Sequence, residues 1–118
     1  GCDVGVFPSF YEPWGYTPLE SAALGVPSLT TDLGGFGRFI NKTRKTEGGI
    51  FVLQRMQKTE EEIIKELTNV LENYCSLNEK GRVTQKIIAK ELSNLADWNI
   101  FINYYIEAHN MAVKKVFG

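Results

Sequence analysis

The sequence predicts an α/β fold in which a short parallel sheet is flanked by helices. Three short segments rich in apolar, β-branched and aromatic residues have the character of buried strands. A helical segment follows each of them, which gives the order strand, helix, strand, helix, strand, helix. That alternation is typical of parallel sheets covered by helices, and the chain ends in further helices.

The composition is that of one folded domain. The chain has 118 residues, of which 43% are hydrophobic, which is enough to build a packed core. Its 13 basic and 14 acidic residues leave a net charge of -1, so we expect neither nucleic acid nor a membrane surface as a partner. Cys2 and Cys75 lack the spacing of a metal site or a disulfide framework, which favours a reducing cytosol.

The first strand and helix enclose an unusual loop. The strand is predicted over residues 4–8, an apolar run that ends in proline. The helix has three start signals, with Thr17 as N-cap, Pro18 at the first helical position and Glu20 completing a capping box. It is predicted to end at Gly25, because a glycine commonly follows the last helical turn.

The second and third strands complete the predicted sheet. The segment PSLTT, residues 27–31, is the second strand, and a glycine-rich turn at 32–37 leads into a possible short helix, FGRFIN. GGIFVLQR, residues 48–55, is the third strand. Three strands form a thin sheet, and parallel sheets need both faces covered. We therefore expect this chain to be a fragment that lacks the first half of a doubly wound domain.

Three helices are predicted in the second half of the chain. Thr59 and Glu62 repeat the capping-box spacing and begin a helix that runs to about Cys75. A second amphipathic helix is predicted over residues 78–95, and Asp97 is the expected N-cap of the last one.

The loop after the first strand is the predicted ligand site. Open parallel sheets bind ligands beyond the carboxyl ends of their strands, often with a phosphate at a helix N-terminus. The amides of Tyr16 and Thr17 lie at or near such a terminus, and Gly15 lets the backbone approach a ligand closely.

Three side chains of this segment allow more than one interpretation. The capping box favours a structural role for Glu20 over a ligand contact. Glu12 precedes Pro13 in a stretch that cannot be helical, so a functional carboxylate and a solvated loop charge are equally plausible. Trp14 fits either a lid over the core or a wall of a sugar site.

The exact string FPSFYEPWGYTPLE, residues 7–20, closely resembles the donor-site motif of the fungal and animal glycogen synthases. That family consists of retaining glycosyltransferases with the GT-B fold, which pairs two Rossmann-like domains. Its motif has two glutamates separated by seven residues, and Glu12 and Glu20 match it position for position. The resemblance covers essentially the whole chain and continues through GVPSLTTDLGGFGRF, GGIFVLQR and LSNLADW.

This resemblance implies that the chain is the C-terminal part of a nucleotide-sugar-binding GT-B domain. The intact protein would transfer glucose from UDP-glucose to the non-reducing end of an α-1,4-glucan with retention, and the fragment alone would be inactive. Glu12 would be the catalytic residue, positioning the donor glucose, and Glu20 would contact the ribose. The rest of the implied donor site comprises Trp14, Gly15, Tyr16 and Thr17. No metal and no cofactor are implied, and the resemblance is compatible with an oligomer of the intact protein.

Two other functions are compatible with the residues. The protein could be another retaining GT-B transferase with a different donor or acceptor, or a non-catalytic sugar-nucleotide-binding module. The intact pair of Glu12 and Glu20 argues against the second, because a retired site has no physical reason to keep both carboxylates.

Other residues carry weaker signals. The turn Gly34–Gly37 lacks the dinucleotide fingerprint and fits a structural turn as well as a wall of the cleft. The family's arginine-rich, glucose 6-phosphate-sensing helix is represented here only by Arg82, Lys86 and Lys90, which are better explained as a solvated helix face.

The last helix is predicted to carry structural residues. His109 fits a structural or surface histidine, and Tyr104 with Tyr105 fits packing. Because the last helix of GT-B proteins crosses toward the N-terminal domain, we expect an exposed apolar face on it in this fragment.

Overall fold

The computed structural model describes residues 1–118, in which three parallel strands alternate with helices. The strands are β1 (Gly5–Val6), β2 (Ser28–Thr31) and β3 (Ile50–Leu53). The helices are α1 (Tyr16–Ala23), α2 (Gly35–Thr43), α3 (Glu60–Cys75), α4 (Glu79–Ser93) and α5 (Trp98–Phe117). This order confirms the predicted α/β class and the parallel sheet.

The sheet has the order β1-β2-β3, so β2 is central. β2 pairs with β3 over four residues, whereas β1 contributes only two, Gly5 opposite Ser28 and Val6 opposite Leu29. β1 is shorter than predicted because Pro8 has no amide to donate and the carbonyl of Phe7 accepts from the Ser9 amide in a turn.

The core lies where the helices cover the sheet. Every residue of β2 is buried, as expected for a central parallel strand. The hydroxyl of Ser28 donates to the carbonyl of Pro18 at 2.9 Å and thereby ties β2 to α1. The main cluster of buried apolar residues draws on α1, α2, β3 and α4 and comprises Ala22, Phe36, Ile40, Ile50, Ala89 and Leu92.

The predicted helix boundaries are largely confirmed. Gly25 has φ +76°, and its amide donates to the carbonyl of Ala22 at 2.9 Å, so α1 stops in the way that the glycine predicts. The capping box of Thr59 and Glu62 is formed at the start of α3. Asp97 caps α5.

Helix α4 starts where it is predicted to start but ends earlier. Its N-cap is Asn78, whose side chain accepts from the Gly81 amide at 2.8 Å. The α-helix ends at Ser93, two residues before the predicted end, and a 3-10 turn over Asn94–Ala96 connects it to α5.

Helix α5 packs only through its first turns. Phe101 and Ile102 are half-buried, and every residue from 103 to 118 is exposed. The predicted exposed apolar face is therefore present. Tyr104 and Tyr105 were expected to pack, but they are 66% and 56% exposed and their aromatic contacts are with α5 itself. No helix of the chain has both the length and the apolar character needed to cross a membrane.

Candidate functional site

The loop between β1 and α1 lies at the carboxyl edge of the sheet, beside the turns that follow β2 and β3. Glu12 forms an isolated parallel bridge with Gly34, the residue that precedes α2. Arg55, just beyond β3, places its guanidinium 3.7 Å from the centre of the Phe10 ring. The ends of all three strands thus meet around this loop, where open parallel sheets bind ligands.

Hydrogen bonds hold the loop along most of its length. Four of its carbonyl groups accept from donors on β2, on α2 and just after β3. The pairs are Arg55 Nη1 with Pro8 at 2.8 Å, Thr31 Oγ1 with Ser9 at 2.9 Å, the Gly35 amide with Glu12 at 3.1 Å and the Phe36 amide with Trp14 at 2.7 Å. Because these donors belong to the sheet and its helices, the loop has a defined backbone conformation.

Glu12 is half-buried, and its carboxylate has no partner in the chain. None of the three ion pairs involves it, and no buried side-chain oxygen lacks a hydrogen bond, so solvent reaches the carboxylate. A Cβ built on Gly15 would lie 3.3 Å from the Glu12 Cγ, which places the side chain against the start of α1. The carboxylate on this fixed backbone is therefore free to form hydrogen bonds outside the chain.

The predicted N-cap of α1 is wrong. The helix begins at Tyr16, and its N-cap is Gly15, which has φ +105° and makes no side-chain hydrogen bond. Thr17 is the second helical residue and Pro18 the third, so the capping box with Glu20 does not form. Glu20 is exposed, and the structure removes the main argument for a purely structural role of its carboxylate.

Tertiary contacts move the start of the helix. The Phe36 amide donates to the carbonyl of Trp14 and fixes it in place. Gly15 is buried beside the same residue: a Cβ built on Gly15 would lie 3.8 Å from the Phe36 Cβ. The chain must turn immediately after Trp14 with a positive φ that glycine adopts without strain. The amides of Tyr16 and Thr17 precede the helix's own hydrogen bonds, so they are the donors at this positive end of the helix dipole.

Trp14 packs as a lid over the core. Its indole makes aromatic contacts with Phe36 and Phe39 of α2, at ring-centre distances of 5.7 and 5.5 Å. It also contacts Phe101 of α5 at 5.6 Å. Of the two interpretations left open by the sequence, this geometry favours the lid, and a contact between Trp14 and a donor sugar stays a prediction.

The glycine turn before α2 has a structural explanation. A Cβ at Gly35 would overlap the carbonyl of Pro13, so only glycine allows the two loops to pack this closely. Gly34 faces the Glu12 side chain, whose Cβ would lie 3.5 Å from a Cβ built there. The turn therefore shapes the same edge of the sheet as the loop that carries Glu12.

Sequence reasoning missed two residues at this edge, Asp32 and Arg55. The buried carboxylate of Asp32 accepts from the amides of Arg55 at 2.7 Å and Met56 at 3.3 Å, and its carbonyl accepts from Arg38 Nε at 2.7 Å. Asp32 directly follows the second predicted strand, and Arg55 is the last residue of the third. Their position at neighbouring carboxyl ends was a signal that could have identified them.

The basic residues of α4 lie away from the loop. Arg82 is half-buried and donates to two carbonyl groups at the end of α3, which corrects its expected role as a solvated charge. Lys86 pairs with Asp3 at 3.8 Å, and Lys90 is exposed. Their contacts are those of an outer helix face.

His109 is exposed on α5, with its ring 4.8 Å from that of Tyr105. This position supports the interpretation as a surface histidine. No group of three or more His, Cys, Asp or Glu side chains is arranged to hold a metal ion.

The fold and the site define an α/β unit with a three-stranded parallel sheet, in which the loop that carries Glu12 lies at the carboxyl edge. The chain belongs to the glycogen synthase family, whose family model, described as glycogen synthase, matches residues 1–118. This assignment agrees with the family that the loop motif resembles.

Curated relatives support the same assignment. Over 119 residues the chain is 38% identical to the liver glycogen [starch] synthases of Mus musculus and Homo sapiens. Over 121 residues it is 35% identical to glycogen [starch] synthase isoform 1 of Saccharomyces cerevisiae. Each alignment covers 99% of this chain and 17% of the relative, so the chain spans 17% of the length of these proteins.

Proposed function

We propose that the intact protein is a glucosyltransferase of glycogen synthesis. It transfers glucose from UDP-glucose to the non-reducing end of an α-1,4-glucan and retains the anomeric configuration. Membership of the glycogen synthase family over residues 1–118 supports this proposal, as do the names of the relatives. The observation that carries it is Glu12, whose unpaired carboxylate stands on a hydrogen-bonded loop at the ligand-binding edge of the sheet.

In the proposed donor site, Glu12 binds the hydroxyl groups of the donor glucose and Glu20 binds the ribose. The unformed capping box supports the role of Glu20, because its exposed carboxylate has no competing bond at the helix start. The amides of Tyr16 and Thr17 bind the diphosphate, whose negative charge the N-terminus of α1 favours. Oriented donors of this kind stabilise the charge that develops on the leaving group in the transition state.

The chain is proposed to be the C-terminal part of the nucleotide-sugar-binding domain of a GT-B protein. The parallel sheet and the alternation of its strands with helices support a Rossmann-like unit. Since the chain spans 17% of the length of its relatives, we expect residues 1–118 alone to lack transferase activity. The two free, exposed cysteines support a location in the reducing cytosol.

The test is glucosyl transfer to glycogen by the full-length protein, measured with UDP-glucose and with ADP-glucose. We expect UDP-glucose to be the better donor, and Glu12→Ala to lower kcat/KM on the order of 100-fold, because the donor glucose loses its positioning group. Glu47→Ala is the matched control, since Glu47 is an exposed carboxylate in the loop before β3, at the opposite edge of the sheet.

Three outcomes would contradict the proposal at different points. Unchanged transfer by Glu12→Ala would refute the role of Glu12. A preference for ADP-glucose would refute the donor. Binding of UDP-glucose without any transfer by the wild-type protein would favour the non-catalytic module.

A further inference from the structure

Arg55 connects the carboxyl end of β3 to the loop that carries Glu12. Its Nη1 donates to the carbonyl of Pro8 at 2.8 Å, and its guanidinium lies 3.7 Å from the centre of the Phe10 ring. Phe10 is 72% exposed, so little else of the chain covers this ring. The contact is a cation–π interaction, in which a planar guanidinium stacks on the face of an aromatic ring.

Asp32 sets the position from which Arg55 reaches the loop. Its carboxylate accepts hydrogen bonds from the amides of Arg55 and Met56, at 2.7 and 3.3 Å. Asp32 is only 9% exposed, and its own amide donates to the carbonyl of Leu53 at 3.0 Å, which continues the ladder of the sheet. The backbone at Arg55 is therefore attached to the rigid centre of the fold.

The hydrogen bonds of the loop divide into two halves. The half that follows Glu12 is held by the amides that start α2. The half that precedes it is held by Arg55 at Pro8 and by the Thr31 hydroxyl at Ser9. Without the Arg55 side chain, the Thr31 hydroxyl would be the only group of another element that forms a hydrogen bond with Pro8, Ser9 or Phe10, and the backbone on that side of Glu12 could move.

We propose that Arg55 is a positioning residue for the transfer reaction, acting through Glu12 by fixing the loop segment Pro8–Phe10. This inference rests on the proposed function, since it gives Arg55 a role only if Glu12 acts on the donor. Displacement of a positioning group by about 1 Å can cost on the order of 100-fold in rate. The guanidinium is required because Lys cannot both stack as a plane and donate in the same geometry.

The experiment uses the full-length protein with UDP-glucose and glycogen. We expect Arg55→Ala to lower kcat/KM by about 10- to 100-fold. Arg44→Ala is the matched control, because Arg44 is also half-buried and donates through Nη1 to a backbone carbonyl, that of Ile50 at 3.3 Å. That contact is at the start of β3, at the opposite edge of the sheet. Its loss should therefore change kcat/KM by less than about twofold, while lowering the free energy of unfolding about as much as Arg55→Ala does.

A double-mutant cycle with Glu12→Gln separates positioning from a general structural role. If Arg55 acts through Glu12, adding Arg55→Ala to Glu12→Gln should lower kcat/KM by less than about threefold further. Fully multiplicative losses would overturn the inference, because Arg55 would then act independently of Glu12. Should Arg55→Ala fail to fold, Arg55→Lys is tested by the same criterion, with a smaller loss expected.

Failure of this inference is distinguishable from failure of the proposed function. Inactive Glu12→Gln together with Arg55→Ala activity within twofold of wild type would overturn the role of Arg55 and leave that of Glu12 intact. Unchanged activity of Glu12→Gln would overturn both roles. Amide hydrogen exchange gives an independent readout on the half of the loop that precedes Glu12, where the Phe7 amide donates to the carbonyl of Leu29 and the Ser9 amide to that of Phe7. Peptides containing Phe7 and Ser9 should exchange faster in Arg55→Ala and at the wild-type rate in Arg44→Ala.

Discussion

Gly15 is the residue at which the loop that carries Glu12 ends and α1 begins. It is buried, has φ +105° and is the N-cap of α1. A side chain at this position would be strained by the backbone and would also press on the Glu12 Cγ at 3.3 Å. The residue that starts the helix is therefore also the one against which the proposed donor-site carboxylate lies.

We expect Gly15→Ala to destabilise the chain by about 1–2 kcal/mol through the positive φ, and to lower donor affinity in the full-length protein as well. Gly25→Ala is the control, because Gly25 also has a positive φ, +76°, but a Cβ there meets nothing within 4 Å. Urea unfolding should show losses of similar size for both variants, while KM for UDP-glucose should rise only for Gly15→Ala. An equal rise in both would contradict the contact with Glu12.

Single residues also show where sequence reasoning stopped. Glu12 was identified because nothing local explained it, and the structure leaves its carboxylate without a partner. Thr17 and Glu20 have the right spacing for a capping box, but the contacts between Phe36 and the loop start the helix two residues earlier, with Gly15 as N-cap. A local pattern could not predict this shift, because α2 is distant in sequence and its contacts outweigh a cap.

At the scale of elements, the start of α3 is governed by local sequence. The Thr59 hydroxyl accepts from the Glu62 amide at 3.3 Å, and the Glu62 carboxylate accepts from the Thr59 amide at 2.8 Å. These bonds from Thr59 lower the pKa of Glu62 below its ordinary value of 4.5. Since the ionised form is favoured in the folded state, the cap contributes stability above pH 4.5, which is lost as the pH falls through the lowered pKa.

A pH series of melting temperatures tests this cap. At pH 7 we expect Glu62→Ala to lower Tm more than Glu61→Ala, which removes another exposed carboxylate from the same first turn. The difference between the two variants should shrink as the pH falls below 4. A difference that stays constant down to pH 2 would show that the ionised carboxylate is not responsible.

Elements with local signals were predicted well, and those that depend on pairing were not. Both the cap of α3 and the stop of α1 at Gly25 depend on neighbouring residues, and both are present. The short length of β1 follows from which backbone groups find partners on β2, and the sequence of β1 alone carries no such information. The end of α4 at Ser93 likewise depends on the 3-10 turn that leads into α5.

The whole molecule consists of a packed α/β body and a protruding helix. Its radius of gyration is 16.5 Å, and its longest dimension is 58 Å. A compact domain of about 100 residues has a radius near 13 Å, so the chain is extended for its length. The extension comes from α5, whose residues after Ile102 are all exposed.

This division predicts where aromatic side chains stabilise the fold. Phe36 is fully buried in the core cluster, so Phe36→Ala should lower the free energy of unfolding by about 3–5 kcal/mol. Phe117 is 84% exposed at the end of α5, so Phe117→Ala should lower the free energy of unfolding by less than about 0.5 kcal/mol. Urea unfolding of the 118-residue chain compares the two. Similar losses for both variants would mean that the end of α5 packs in solution.

By itself, the sequence determined the α/β class, the parallel order of the strands and the acidic loop before α1. These depend on hydrophobic patterning and turn residues, which act over a few neighbours along the chain. Only the tertiary structure decided the true start of α1, the packing of Trp14 and the link from Asp32 and Arg55 to the loop. Those depend on side chains brought together from three strand ends, and no local pattern records which of them meet.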